Sequence, residues 1–200
     1  MLGSLRRENM SIADDANDAD VVIINTCGFI REAVEESVDA ILQICGLKDY
    51  GRLKKVIAVG CMVQRYRDEL VRELPEVDAF VGVHDIPRIA AVVKDVLAGT
   101  RIAQWSGQPT SSDQPPRVAL TPSHFRYIKI CEGCNHGCTF CAIPGIKGKL
   151  RSRSADSIVA EAAELIREGA KEIVLIGQDT GEFGLERNEP NALPDLLRRI

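Results

Sequence analysis

Two hundred residues, 45% hydrophobic and 27% charged, suffice for one or two soluble globular domains. A formal net charge of -4 supplies no bulk attraction for nucleic acid, and no run approaches the roughly 20 apolar residues of a membrane span. Seven cysteines, an odd number with a closely spaced group among them, exclude a simple disulfide framework and point to metal binding in a reducing compartment, so a cytoplasmic protein is expected.

Residues 1–19 are polar, carry no apolar core of signal-peptide length and end in an acidic stretch. The continuous apolar run Ala19 to Asn25 predicts a strand buried on both faces, stopped by Thr26-Cys27-Gly28. Arg31 to Ile44 then carries Ala33, Val34, Val38, Ile41 and Leu42 at helical spacing. The unit repeats, with a strand over Lys55 to Val59, its end at Gly60-Cys61, and an amphipathic helix over Arg65 to Leu74. A third strand follows over Ala79 to Val83. Asp85 then caps a helix running to Leu97, with Pro87 in its first turn and Gly99 just past its end. Such alternation predicts an α/β fold, here an open parallel sheet domain over residues 1–98.

In open parallel sheets ligands gather at the carboxyl ends of the strands, where Cys27 and Cys61 both fall. One such cysteine reads as a small buried hydrophobe. Two at equivalent strand ends read as a second metal site. Cys45, at the end of the first helix, reads as packing.

Residues 99–124 are rich in Gln, Ser and Pro and predict a linker, with Trp105 anchoring it to a domain surface. A second domain is expected over residues 125–200. It has a strand over Phe125 to Ile130, a cysteine loop, a helix over Ala155 to Glu168 ended by Gly169, a strand over Glu172 to Ile176, and a helix opened by Pro194. These are the first βα units of a TIM-like barrel, and two units alone leave an open edge and half a core.

Within the loop, Cys134, Cys138 and Cys141 stand at the spacing CxxxCxxC, which can hold three corners of a four-iron cluster and leave one iron open to a small molecule. Cys131 adds a fourth thiol, so a closed four-cysteine zinc site or a ferredoxin-type cluster is the competing reading. Against it, Cys131 ends a predicted strand and points away from the loop, and the spacing departs from the ferredoxin pattern, with Pro144 three residues after the last cysteine. Lys147, Lys149, Arg151 and Arg153 form a basic run, by default a solvated face.

Four segments carry a family resemblance: NTCGFI from Asn25, AVGCMVQRY from Ala58, the stretch from Leu120 to Arg153 containing LTPSHF and CNHGCTFC, and GAKEIVLIGQDTGEFG from Gly169. Together they resemble the radical S-adenosylmethionine (SAM) methylthiotransferases. Within that family LTPSHF and Gln178-Asp179-Thr180 are similar to the branch that methylthiolates an aspartate β carbon of small-subunit ribosomal protein S-twelve.

The resemblance implies two four-iron clusters. Cys134, Cys138 and Cys141 would hold the SAM-binding one, and Cys27 and Cys61 would be two of three ligands of an auxiliary one. It further implies SAM as radical source and methyl donor, Gln178 and Asp179 facing the SAM pocket, a flavodoxin or ferredoxin reductant, and the ribosomal protein or the ribosome as partner. The family also has an earlier strand bearing the first auxiliary cysteine, the rest of the barrel, and a C-terminal domain, so a 200-residue chain is expected to be a fragment not competent alone. Two other readings stand beside this one: the sister activity on tRNA adenosine, and a non-catalytic iron-sulfur or zinc binding protein.

Overall fold

The computed structural model describes residues 1–107, 118, 122 and 124–200. Two compact units, Met1–Val118 and Ala119–Ile200, divide the chain.

In the first unit β1 (Val21–Thr26), β2 (Lys55–Gly60), β3 (Ala79–Gly82) and β4 (Ile102–Gln104) form one sheet in that spatial order. All neighbouring pairs are parallel. The helices are α1 (Leu2–Arg7), α2 (Arg31–Gly46), α3 (Cys61–Tyr66), α4 (Asp68–Glu73) and α5 (Ile89–Leu97). Alternation along the central strands explains their continuous apolar sequence. Val56, Ala58 and Phe80 pack into one core with α2, α3 and α4, while Ile57, Val59, Ala79 and Val81 pack into another with α1 and α5. Burying each Val, Ile or Phe side chain among these contributes about 1.5–3 kcal/mol.

Four local expectations change. The helix expected over Arg65 to Leu74 starts earlier, at Cys61, and breaks at Arg67, whose backbone takes φ 48°. Asp85 precedes α5 but gives its carboxylate to Ser106, accepting from the Ser106 hydroxyl at 2.6 Å and from its amide, so no side-chain cap forms. The expected linker begins later than residue 99, because Ile102–Gln104 pairs with β3 and Trp105 packs against the core of this unit. The polar amino-terminal segment contains α1, anchored by buried Leu5. The QPTSSDQPP stretch and half of the LTPSHF lead-in, Leu120, Thr121 and Ser123, lie outside the described residues.

The second unit contains β5 (Phe125–Lys129), β6 (Cys131–Glu132), α6 (Ile143–Lys147), β7 (Arg151–Ser152), α7 (Ala155–Arg167), β8 (Glu172–Ile176) and α8 (Ala192–Arg199). β5 pairs in parallel with β8, from Phe125 opposite Glu172 to Lys129 opposite Ile176, and α7 makes the crossover. Ser154 starts α7 by accepting from the Ser157 amide at 3.2 Å. Ile158, Ala162 and Leu165 bring α7 onto Ile128 and Ile130, and Leu196 of α8 closes the same core. The short antiparallel pair β6–β7, with Cys131 opposite Ser152, joins the two ends of the cysteine loop. The chain is thus α/β throughout, a parallel sheet unit followed by a βαβ unit. Among the described residues, no helix is long and apolar enough to cross a membrane.

Candidate metal centres

All seven cysteines lie among the described residues, and none forms a disulfide. The loop from Gly133 to Ala142 runs without regular structure between β6 and α6, and its backbone is held at several points. Gly133, at φ +83°, lies so close to the Gly148 and Lys149 carbonyls that a Cβ has no room. Its amide donates to Gln178 Oε1 at 2.9 Å, the Cys134 amide donates to the Gly148 carbonyl at 3.2 Å, and the Leu150 amide donates to Asn135 Oδ1 at 3.1 Å. The last turn closes when the Cys141 amide donates to the Cys138 carbonyl at 3.1 Å.

Below the loop, Glu132 accepts from Lys147 at 2.8 Å and from Lys129 at 3.1 Å, bracketing its entry and exit. Burial alone would raise the Glu132 carboxyl, but the two ammonium groups outweigh it and hold the value at about 2. The basic run therefore divides. Lys147 and Arg153 are engaged, the latter donating to Glu161 at 2.6 Å, while Lys149 and Arg151 are exposed.

The four thiols of the loop region separate. Cys131 is 1% exposed, donates to the Asp179 carbonyl at 3.4 Å, and sits so close to Gly177 that a Cβ there would meet its sulfur. Burial pushes its thiol up, away from the thiolate a metal takes. Cys134 and Cys141 are half-buried and Cys138 is exposed, beside Phe140 at 88% exposure. With Cys131 withdrawn, the accessible donor set is three soft sulfurs from one short loop, which fits a four-iron cluster with an open iron.

Gln178 and Asp179 follow β8 and come to this loop. Gln178 holds Gly133, as above, and Asp179 Oδ2 lies 3.8 Å from Cys134 Sγ. His136, which belongs to no ligand spacing in the sequence, places Nε2 2.9 Å from Asp179 and 3.4 Å from Glu182. Its position between two of the cysteines was the available signal. Donor atoms of Cys134, His136 and Asp179 fall within 4.8 Å of one another, a mixed set able to hold a single divalent ion.

In the first unit, Thr26 and Gly60 are partners on the last rung of the β1–β2 pair, so Cys27 and Cys61 leave neighbouring strands at the same edge. Neighbouring strands stand about 4.8 Å apart, within the span of one metal centre. Cys27 is exposed and Cys61 half-buried. These two thiols fit part of a cluster's ligand set. Cys45 is buried among Ile41, Leu53 and Met62 and serves packing.

Residues 1–82 match the family described as uncharacterized protein family UPF0004, and residues 128–196 match the radical SAM superfamily. The chain is 41% identical over its whole length to the ribosomal protein uS12 methylthiotransferase RimO of Trichlorobacter lovleyi, covering 45% of that protein. It is 46% identical to the corresponding protein of Symbiobacterium thermophilum, covering 41% of it. It thus spans less than half the length of these relatives. Among solved structures, the radical SAM methyltransferase TsrM of Kitasatospora setae matches with a TM-score of 0.57 and 16% identity, covering 90% of this chain and 39% of that one, a likeness of fold.

Proposed function

On the premise that the chain belongs to the RimO-type radical SAM methylthiotransferases, which match it from end to end, we propose that the whole protein methylthiolates ribosomal protein uS12. A hydrogen on an aspartate β carbon would be replaced by S–CH3: one SAM, cleaved to methionine and 5′-deoxyadenosine, would oxidise the carbon and carry the hydrogen away, a sulfide-class donor would provide the sulfur, and a second SAM would provide the methyl group. The observation that carries the reading is the withdrawal of Cys131, which leaves three accessible thiols rather than four.

In this account Cys134, Cys138 and Cys141 hold one four-iron cluster, and Cys27 and Cys61 supply two thiols to an auxiliary one. Bound in the loop, the first cluster supplies the electron and the open iron that SAM chemistry needs. The chain's own residues provide order and access. Gln178 fixes the loop's first turn through the Gly133 amide. Asp179 and His136 tie the loop to the end of β8. Glu132, between Lys129 and Lys147, holds the two loop ends together. Exposed Phe140 and Cys138 leave the outer side of the loop open to a small molecule. A flavodoxin or ferredoxin is the reductant in this scheme, and the cytoplasm its compartment.

Incubation of the full-length protein with SAM, a reductant and either uS12 or tRNA tests the reading. The mass of an added methylthio group on the uS12 aspartate is expected. The same mass on tRNA adenosine assigns the sister activity instead, and no modification of either rejects both. The proximity of Cys134, His136 and Asp179 favours a second reading, a non-catalytic site for one divalent ion. Retention of zinc without iron after anaerobic reconstitution would select it.

A further inference from the structure

The segment from Cys27 to Ile30 has no regular structure, yet its backbone is gripped from two helices. From α2, Ser37 Oγ accepts from the Cys27 amide at 3.2 Å while donating to the Ala33 carbonyl at 2.7 Å. From α3, the Arg65 guanidinium donates through Nη1 to the Gly28 carbonyl at 2.7 Å and to the Phe29 carbonyl at 3.2 Å. The contact is made possible by Gly28, which lies so near the Met62 backbone that a Cβ would stand 2.7 Å from its Cα. Arg65 is one helical turn beyond Cys61 on the helix that Cys61 opens. Its guanidinium also lies over the Tyr66 ring, 5.2 Å from the centroid, which restricts where it can point.

These contacts form a closed circuit: Cys61, one turn of α3, Arg65, the Gly28 carbonyl, Cys27, and back across the last rung of β1–β2. A guanidinium is suited to it, because one terminal amino group, Nη1, carries two hydrogens held in a fixed plane and can serve two successive carbonyls. The loop is short and glycine-containing, and its Phe29 and Ile30, 43% and 52% exposed, give little packing of their own.

We propose that Arg65 is a positioning residue that assembles Cys27 and Cys61 into a two-thiol site before any metal arrives. The inference rests on the reading of these two cysteines as ligands of one centre. Its immediate claim, however, concerns the geometry of the thiols and is testable without a cluster. The site would take a soft, thiophilic centre, an iron-sulfur cluster or a single thiophilic ion.

The test uses the full chain with Cys134, Cys138 and Cys141 replaced by serine and titrates it with phenylarsine oxide, which closes a ring only on two adjacent thiols. With Arg65 present, one equivalent is captured and prior alkylation of Cys27 blocks it. Arg65→Ala weakens capture by roughly tenfold, the worth of one charge-assisted hydrogen bond. The melting temperature falls by a few degrees at most, and Arg65→Lys, whose ammonium still reaches one carbonyl, restores part of both the affinity and that loss. Equal capture in Arg65→Ala overturns the proposal. So does a loss accompanied by a lowered melting temperature that lysine does not restore, since that marks a general structural role. Arginine-dependent capture in a full-length protein that takes up no second cluster upholds the positioning role and rejects the ligand reading alone.

Discussion

The sulfur of Cys131 rests against Gly177, with the thiol donating to the Asp179 carbonyl at 3.4 Å. This contact takes one of four clustered cysteines out of the loop's donor set. Cys131→Ala is therefore expected to keep iron in the reconstituted protein at a stability cost of about 1 kcal/mol for the buried sulfur. Cys138→Ala loses iron while leaving stability of the metal-free chain within about 0.5 kcal/mol, because its side chain is exposed. Iron analysis beside thermal unfolding checks both, and equal iron loss would restore the four-ligand site.

Gly60 ends β2 at φ +113°, and a Cβ there would stand 2.7 Å from the Thr26 carbonyl. Only glycine takes this conformation comfortably. Gly60→Ala is expected to cost at least about 2 kcal/mol from backbone strain and contact together. Because Gly60 precedes Cys61, the substitution also shifts the start of α3. Denaturant unfolding measures the first effect, and reduced phenylarsine oxide capture by Cys27 and Cys61 the second.

Asp78 contributes acid sensitivity to the first unit. Burial raises its carboxyl, but hydrogen bonds from Lys48, the Val56 amide at 2.8 Å and Lys55 at 3.0 Å outweigh that and lower it. A depressed folded value means that its stabilisation is full above the ordinary value of 3.8 and is lost as pH falls below it, through the lower folded value. Asp78→Asn should destabilise by about 1–3 kcal/mol at neutral pH and flatten the fall in stability below pH 4. Unfolding midpoints from pH 2 to 7 for the two proteins give the comparison, and parallel curves would contradict the assignment.

Gln178→Ala removes the acceptor that holds the Gly133 amide at 2.9 Å. The expected stability cost is about 1 kcal/mol. Iron content should hold, since all three loop cysteines remain, while SAM binding weakens because the first turn of the loop is no longer fixed. A SAM titration of the cluster's spectrum reads this, and an unchanged midpoint would make Gln178 ordinary loop polarity.

The parallel sheet was legible because β2 is buried on both faces and therefore reads as the continuous apolar run KVIAV, ended at Gly60-Cys61. The CxxxCxxC spacing of the loop cysteines is visible in the sequence itself. Contacts made through tertiary structure were not. Asp85 has the sequence position of a helix cap, but the arrival of β4 brings Ser106 to its carboxylate, a partner 21 residues away. β4 itself is three residues of ordinary composition at the edge of a polar stretch, and becomes a strand only because β3 offers a free edge. The break at Arg67 likewise has no local signal such as Gly or Pro. Lys147 and Arg153 belong to a basic run that reads as solvated, and only β6–β7 pairing and α7 packing bring Glu132 and Glu161 to them. His136 and Arg65 were missed for a similar reason, since each acts on a residue from another segment.

A cluster held by Cys134, Cys138 and Cys141 alone, as proposed, would keep one iron within reach of SAM. Electron paramagnetic resonance of the reduced full-length protein carrying Cys27→Ala, Cys61→Ala and Cys131→Ala, in which the loop provides the remaining cluster, reads this. A cluster signal that changes on adding SAM is expected. A signal indifferent to SAM, or no cluster once Cys131 is replaced, would contradict it.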